Sequence, residues 1–162
     1  MKHAIICALL ALSLLACTGK VTHIQAAQNV PDTALEVAIE VRDELCDATA
    51  GQDCFTFDRE PSDSVLLLAD LDTGRAGRAI EFDGGNVWIL LDSSLVEPKA
   101  AQLLRRVLRH ELGHVAGCWR HPETGAITRS DMDAADGYTD DDVRCMRVEQ
   151  VSVEELTQGG TE

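Results

Sequence analysis

The chain has 162 residues, 45% of them hydrophobic, and a formal net charge of −14 at pH 7. That length supports one domain with a real core and is too short for two comfortable ones. The acidic balance argues against nucleic acid as a partner, because a phosphate backbone requires a basic surface. We therefore expect one acidic domain, and we expect it to be a monomer.

The N-terminus has the features of an export signal. A charged start, Met1-Lys2-His3, precedes an apolar run from Ala4 to Ala16 that is too short to span a bilayer. The run ends in Leu14-Leu15-Ala16-Cys17, which resembles the lipobox of bacterial lipoproteins. The resemblance implies that residues 1–16 are removed and that Cys17 carries lipid. It also implies a cell-envelope location, at the outer membrane because no Asp follows Cys17. The alternative is a plain secretory signal that contains a cysteine.

The mature chain begins with a predicted tether, residues 17–31, which is polar and has no sustained hydrophobic period. A short strand around Val21 to Ile24 has only weak support there, and His23 is interpreted as incidental. The domain itself is expected over residues 32–148. Residues 149–162 are predicted to be a frayed polar tail.

A first helix is predicted after Pro31. Thr33 and Glu36 have the spacing of a capping box. The helix should end near Cys46 to Gly51, and its apolar residues recur at helical spacing: Ala34, Val37, Ala38, Val41 and Leu45.

Short strands are predicted next. Phe55 to Phe57 forms a brief strand, and the continuous apolar runs Val65 to Ala69 and Val87 to Leu91 are typical of strands covered on both faces. Gly77 to Phe82 is more mixed and indicates an edge strand.

A second helix is predicted from Pro98 to Ala116, with Gly117 as the left-handed residue that ends it. When the residues of this helix are projected at about 100° per residue, Arg109 falls on the polar side and Leu103 on the apolar side. Glu111 falls within the apolar arc. Residues 122–142 are predicted to be loop, followed by a short helical end from Val143 to Val148.

This second helix carries the motif His110-Glu111-x-x-His114. Histidines four residues apart share one helix face and can bind one metal ion, which is the H-E-x-x-H arrangement of zinc sites. Burial of a carboxylate in the apolar arc costs free energy unless a charge or a hydrogen bond compensates it. Beside a divalent metal ion, Glu111 would be compensated and could take a proton from metal-bound water. The alternative is a chance match of ordinary helix residues.

Four cysteines remain once Cys7 and Cys17 are set aside, and an even number in an exported protein suggests two disulfides. Three pairings are open. We favour Cys46–Cys54, which bracket a short loop, and Cys118–Cys145, which would tie the turn after the motif to the C-terminal segment. A rival interpretation makes Cys118 or Cys145 a metal ligand.

A helix, several strands and a long helix with His110-Glu111-x-x-His114-x-x-Gly117 and one more histidine resemble the catalytic domain of the metzincin metallopeptidases, most nearly the matrixin-like group. The resemblance covers Thr33 to Val148. It implies an α+β fold, in which a mixed twisted sheet with one antiparallel edge strand packs on two main helices.

By the same resemblance, His110, His114 and His121 hold one catalytic zinc ion, and Glu111 acts as general base and acid. A peptide or protein substrate would bind in extended form along Gly77 to Phe82. The implied activity is zinc-dependent endopeptidase. The alternatives are an inactive envelope lipoprotein that serves as a binding or structural module, and a purely structural zinc with a cysteine as fourth ligand.

The sequence departs from the family pattern in two places. The usual position of the third ligand is Arg120, which cannot bind zinc because its guanidinium stays protonated, so we predict His121 through a turn one residue longer. Glu123, Asp131 or no third protein ligand are the alternatives. Residues 126–128, where the family has a methionine, lack one; the candidates are Met132 and Met146.

Two further features remain open. An acidic stretch could hold Ca²⁺ but fails the regular loop spacing, so a solvated loop is favoured: Asp131, Asp133, Asp136, Asp140, Asp141 and Asp142. Trp88 and Trp119 are interpreted as packing residues, although Trp119 could wall the cleft.

Overall fold

The computed structural model describes residues 23–71, 74–121, 125–126 and 136–147. The elements in chain order are β1 (His23–Ala26), α1 (Asp32–Ala48), β2 (Thr56–Asp58), β3 (Val65–Ala69), β4 (Gly77–Glu81), β5 (Val87–Asp92), α2 (Ala101–Val115) and α3 (residues 140–147). Two 3-10 turns, Ser93–Val96 and Pro98–Ala100, join β5 to α2.

The strands form one five-stranded sheet in the order β2-β1-β3-β5-β4. β1 pairs in parallel with β2 and β3, and β3 with β5, whereas β4 pairs antiparallel to β5 at one edge. The predicted α+β class, with a mixed sheet and an antiparallel edge strand, is confirmed.

The core lies between the sheet and the helices. Side chains from strands and both long helices are fully buried there: Ile24, Leu66, Ile89, Leu91, Ala38, Val41, Leu45, Leu108 and Leu112. The prediction that β3 and β5 are covered on both faces is wrong over the described residues. Alternate side chains point away from the helices, so Val65 and Leu67 are only half-buried and Trp88 is exposed.

The predicted tether is wrong from His23 onward, because β1 lies inside the sheet between β2 and β3. The weakly supported strand around Val21 to Ile24 overlaps β1 at His23 and Ile24. Its alternating pattern buries Ile24 and Ala26 completely or nearly so. His23 is not incidental either: its Nε2 atom lies 2.7 Å from Oδ1 of Asp58 on the neighbouring strand β2. The domain therefore begins at His23 or before.

Both long helices begin differently from the prediction. α1 starts at Asp32 with Pro31 as N-cap and no side-chain cap, so the capping box of Thr33 and Glu36 does not form. α2 starts at Ala101, because Pro98–Ala100 is a 3-10 turn. In the part of the chain that the structure describes, no helix is both long and apolar enough to cross a bilayer.

The contact between α1 and α2 changes the predicted faces of α2. Arg109, predicted on the polar side, is buried, and its guanidinium donates two hydrogen bonds to the carboxylate of Glu44 on α1. Leu103, predicted on the apolar side, is 41% exposed. A planar, bidentate partner lets an arginine enter the interface between two helices.

α3 begins three residues earlier than predicted, and the structure describes it as far as residue 147. Thr139 and Asp142 form a capping box at its start, since each side chain accepts a hydrogen bond from the backbone N–H of the other. Asp142 also accepts from the N–H of Ala126 at 2.9 Å and is completely buried. It is therefore a structural residue and not part of a solvated acidic loop.

Candidate metal centre

The last turns of α2 present two of the predicted ligands on one face. The rings of His110 and His114, four residues apart, have centroids 4.7 Å apart, and their Nε2 atoms are separated by 3.1 Å. His114 is buried and His110 is half-buried, so the pair lies at the edge of the core.

The turn after α2 brings the third histidine back to this pair. Gly117 has φ +104°, a left-handed conformation that favours glycine. The N–H of Cys118 bonds to the carbonyl of Gly113, and the N–H of Gly117 bonds to that of His114, which together form a Schellman motif. The predicted left-handed helix end is confirmed.

His121 lies beside the pair after that reversal. Its Nε2 atom is 3.3 Å from Nε2 of His110, and its side chain is exposed. The longer turn thus brings His121, and not the family-spaced Arg120, into the group that could hold a metal ion.

The geometry of the three histidines fits a small metal ion. One ring nitrogen from each lies within 4.8 Å of the others. Tetrahedral ligation at the usual Zn–N distance of about 2.0–2.1 Å places two ligand nitrogens about 3.3 Å apart. The two Nε2–Nε2 distances given above agree with that spacing, and imidazole is a good zinc ligand.

A backbone carbonyl fixes the tautomer of His114. Its Nδ1 atom lies 2.6 Å from the oxygen of Cys118. A carbonyl only accepts, so Nδ1 must carry the hydrogen, and the Nε2 of the neutral ring keeps its lone pair for a metal. This is the outer partner that metal-binding histidines generally have.

Glu111 lies between His110 and His114 in the sequence, and its side chain is buried. It lies against Gly77 at the start of the edge strand β4. Its carboxylate is therefore held where α2 meets β4. The predicted place of Glu111 on the apolar side of α2 agrees with its burial.

Both predicted disulfides are present, Cys46–Cys54 and Cys118–Cys145. The second joins the turn after α2 to α3. Because both of its sulfurs are bonded to each other, neither Cys118 nor Cys145 is available as a thiolate ligand. This disulfide rules out a structural zinc site with Cys118 or Cys145 as the fourth ligand.

The indole of Trp119 lies flat on the ring of His114, with centroids 5.5 Å apart and an interplanar angle of 5°. Trp119 is 37% exposed, so it packs on a candidate ligand and also forms part of the surface beside the cluster. Trp88 instead packs edge-on against Phe82, and both are exposed.

Tyr138 was missed by the sequence analysis. Its hydroxyl donates to the backbone oxygen of Arg109, one residue before His110, at 2.9 Å. Burial raises its pKa well above the ordinary value, and the negative charge of Glu44 adds to the effect. It is the only tyrosine of the chain, but nothing in the sequence around it indicates a partner on α2.

Several predicted residues lie outside the described ones: Cys17, Glu123, Asp131, Met132 and Asp133. Met146 is completely buried in the core on α3. Among the described residues, the acidic side chains form no group that could hold a metal ion; the three histidines do.

Comparison of the chain with protein-family models and with curated proteins finds no match.

Proposed function

We propose that this protein is a zinc-dependent endopeptidase of the metzincin type, in which His110, His114 and His121 hold one zinc ion and Glu111 is the general base. The observation that supports the proposal best is the convergence of three histidine side chains, in which Nε2 of His110 lies 3.1 Å from that of His114 and 3.3 Å from that of His121, at the end of a helix that also carries the buried Glu111. Three protein ligands leave one position open, as in catalytic zinc sites.

A bound zinc ion would supply a Lewis acid that polarises a substrate carbonyl and lowers the pKa of its water to about 7. The chain supplies the proton transfers. Glu111 takes a proton from the attacking water and returns one to the leaving amine. Its burial excludes bulk water from the carboxylate, which strengthens the effect of every nearby charge.

The edge strand supports a peptide as substrate. β4 ends the sheet on one side, so its outer backbone groups can pair with an added strand. Gly77, the first residue of β4, touches Glu111. A peptide bound along β4 would therefore pass close to the proposed general base.

The location of the protein is a proposal of the same kind. We propose that it is exported and held in the bacterial cell envelope by lipid on Cys17. The two disulfides support export, because such bonds persist in oxidising compartments.

The test uses the purified full-length protein. Mass spectrometry should find about one zinc ion per chain, and a labelled casein should be cleaved. Glu111→Gln should retain the zinc and lower turnover by about 100- to 10,000-fold, the range for loss of a general base. Glu97→Gln, on the surface before α2, is the matched control and should cleave normally.

The outcomes separate the candidate functions. Zinc bound without any cleavage by the parent protein would favour a binding or structural module of the envelope. Cleavage that persists in the Glu111→Gln variant would contradict the proposed mechanism.

A further inference from the structure

Gly77, the first residue of the edge strand β4, lies directly against α2. A Cβ atom built on Gly77 would lie 2.5 Å from Cγ1 of Val107, 2.7 Å from Oε1 of Glu111 and 3.0 Å from its Cγ. The φ angle of Gly77 is not in the left-handed region, so backbone conformation does not explain a glycine here. The lack of a side chain is what this position requires.

The side chain of Glu111 occupies part of the space that a side chain at position 77 would need. A methyl group at Gly77 would force Oε1 to move by about 0.7 Å to reach ordinary contact distance, or would push β4 away from α2. Neither change is small for a proton-transfer group, because a displacement of about 1 Å can lower a rate by about 100-fold.

We infer that Gly77 is a positioning residue for the general base: its bare backbone sets both the place of the Glu111 carboxylate and its distance from a peptide on β4. This inference rests on the proposed function. On this inference, the contact at Gly77 sets the distance between the proposed substrate-binding strand β4 and the carboxylate of Glu111.

The structure offers a way to separate this role from simple packing. The three atoms nearest to a Cβ on Gly77 belong to Val107 and Glu111, and of these two residues only Val107 is remote from the proposed chemistry. Val107→Ala removes the Cγ1 atom at 2.5 Å and leaves the carboxylate oxygen at 2.7 Å. The double variant Gly77→Ala/Val107→Ala therefore relieves the steric conflict with the core while it keeps the conflict with Glu111.

The experiment compares the full-length parent with Gly77→Ala, Val107→Ala and the double variant. Gly137→Ala is the matched control, because a Cβ there meets nothing within 4 Å and its φ is not left-handed. For each protein we would measure zinc affinity, the absorption spectrum with cobalt in place of zinc, the unfolding temperature, kcat and KM.

We expect the double variant to bind zinc with the parent's affinity, to give the parent's cobalt spectrum, and to have a kcat lower by about 100-fold with KM changed less than about threefold. Val107→Ala and Gly137→Ala should keep the parent's kcat. A crystal structure of the double variant should show the Glu111 carboxylate displaced from its place in the parent.

A double variant that recovers the parent's kcat would overturn the inference, since Gly77 would then serve packing against Val107 alone. Loss of zinc affinity in the double variant would overturn it too, because the glycine would be a requirement of the fold. A parent protein that binds zinc but cleaves no peptide would instead overturn the proposed function, and this inference with it.

Discussion

The carbonyl oxygen of Cys118 lies 2.6 Å from Nδ1 of His114, so the turn after α2 holds the ring of a candidate ligand through the residue that also forms a disulfide with α3. The Schellman motif fixes this carbonyl from one side, and Cys145 fixes it from the other. α3 thereby supports the candidate metal centre, although none of its described residues belongs to the histidine group.

Removal of the Cys118–Cys145 bond should weaken metal binding. In the Cys118→Ser/Cys145→Ser variant the carbonyl remains but is less fixed, and we expect zinc affinity to fall by about 10- to 100-fold, the range for loss of an outer partner. Competition with a chelating dye measures it. Closure of a loop with a sequence separation of 27 also contributes about 3.5 kcal/mol to the free energy of unfolding.

The other disulfide provides the control for that variant. Cys46→Ser/Cys54→Ser opens a loop with a sequence separation of 8 and should lower the free energy of unfolding by about 2.5 kcal/mol. Its zinc affinity should equal that of the parent. Equal zinc affinity in all three proteins would show that the Cys118 carbonyl needs no support from α3.

The identity of the third ligand is tested by neighbouring substitutions. His121→Ala removes a nitrogen that lies 3.3 Å from Nε2 of His110. Zinc affinity should therefore fall by more than it does when an outer partner of a ligand is lost, which is about 10- to 100-fold. Arg120→Ala, at the usual position of the family, should bind zinc within about threefold of the parent. The reverse order of affinities would contradict the longer turn.

Tyr138→Phe should lower the free energy of unfolding by about 1 kcal/mol at neutral pH, because the carbonyl of Arg109 loses its hydroxyl donor. Denaturation by urea measures this change. Zinc affinity reports whether the carbonyl before His110 also matters to the metal centre.

The same tyrosine gives an alkaline prediction. Since burial raises the pKa of Tyr138, the unfolded chain releases the proton first, and stability falls as pH rises above the unfolded value of about 10. The Phe variant should lose less stability over that range. The single tyrosine also makes its titration readable by absorbance; a pKa near 10 in the folded protein would refute the buried hydroxyl.

The pair of His23 and Asp58 should make stability sensitive to acid. The hydrogen bond from His23 is the main reason that the pKa of Asp58 lies below 3.8. A lowered pKa stabilises the fold above the unfolded value, and the contribution is lost as pH falls through the folded value. Asp58→Asn should therefore be less stable than the parent at pH 6 and nearly equal to it at the lowest pH. A pH-independent difference between the two proteins would contradict this.

The elements with a long or specific local signal were predictable from the sequence. The helical period of α1 survives in its buried residues Ala34, Ala38, Val41 and Leu45. The glycine after α2 marks the left-handed turn, and the cysteine count predicts two disulfides, of whose three possible pairings the favoured one is present. The spacing of His110 and His114 places two imidazoles together on any helix.

The missed features depend on partners that are distant in sequence. β1 has four residues, too few for more than the weak support that the strand around Val21 to Ile24 had, and its pairing with β2 and β3 is what the sequence did not indicate. Arg109 looks polar until Glu44 neutralises it in the interface between helices. The burial of Asp142 similarly requires the N–H of Ala126, which the sequence cannot indicate.

On the proposal that Cys17 carries lipid, the position of β1 limits how far the domain can stand from the membrane. β1 begins at His23, six residue steps after Cys17, and six steps reach at most about 22 Å when the chain is fully extended. If Cys17 carries lipid, the metal centre belongs to a body that rests almost on the bilayer surface. On the proposed endopeptidase function, its substrates would then be chains presented within one domain's width of the lipid headgroups.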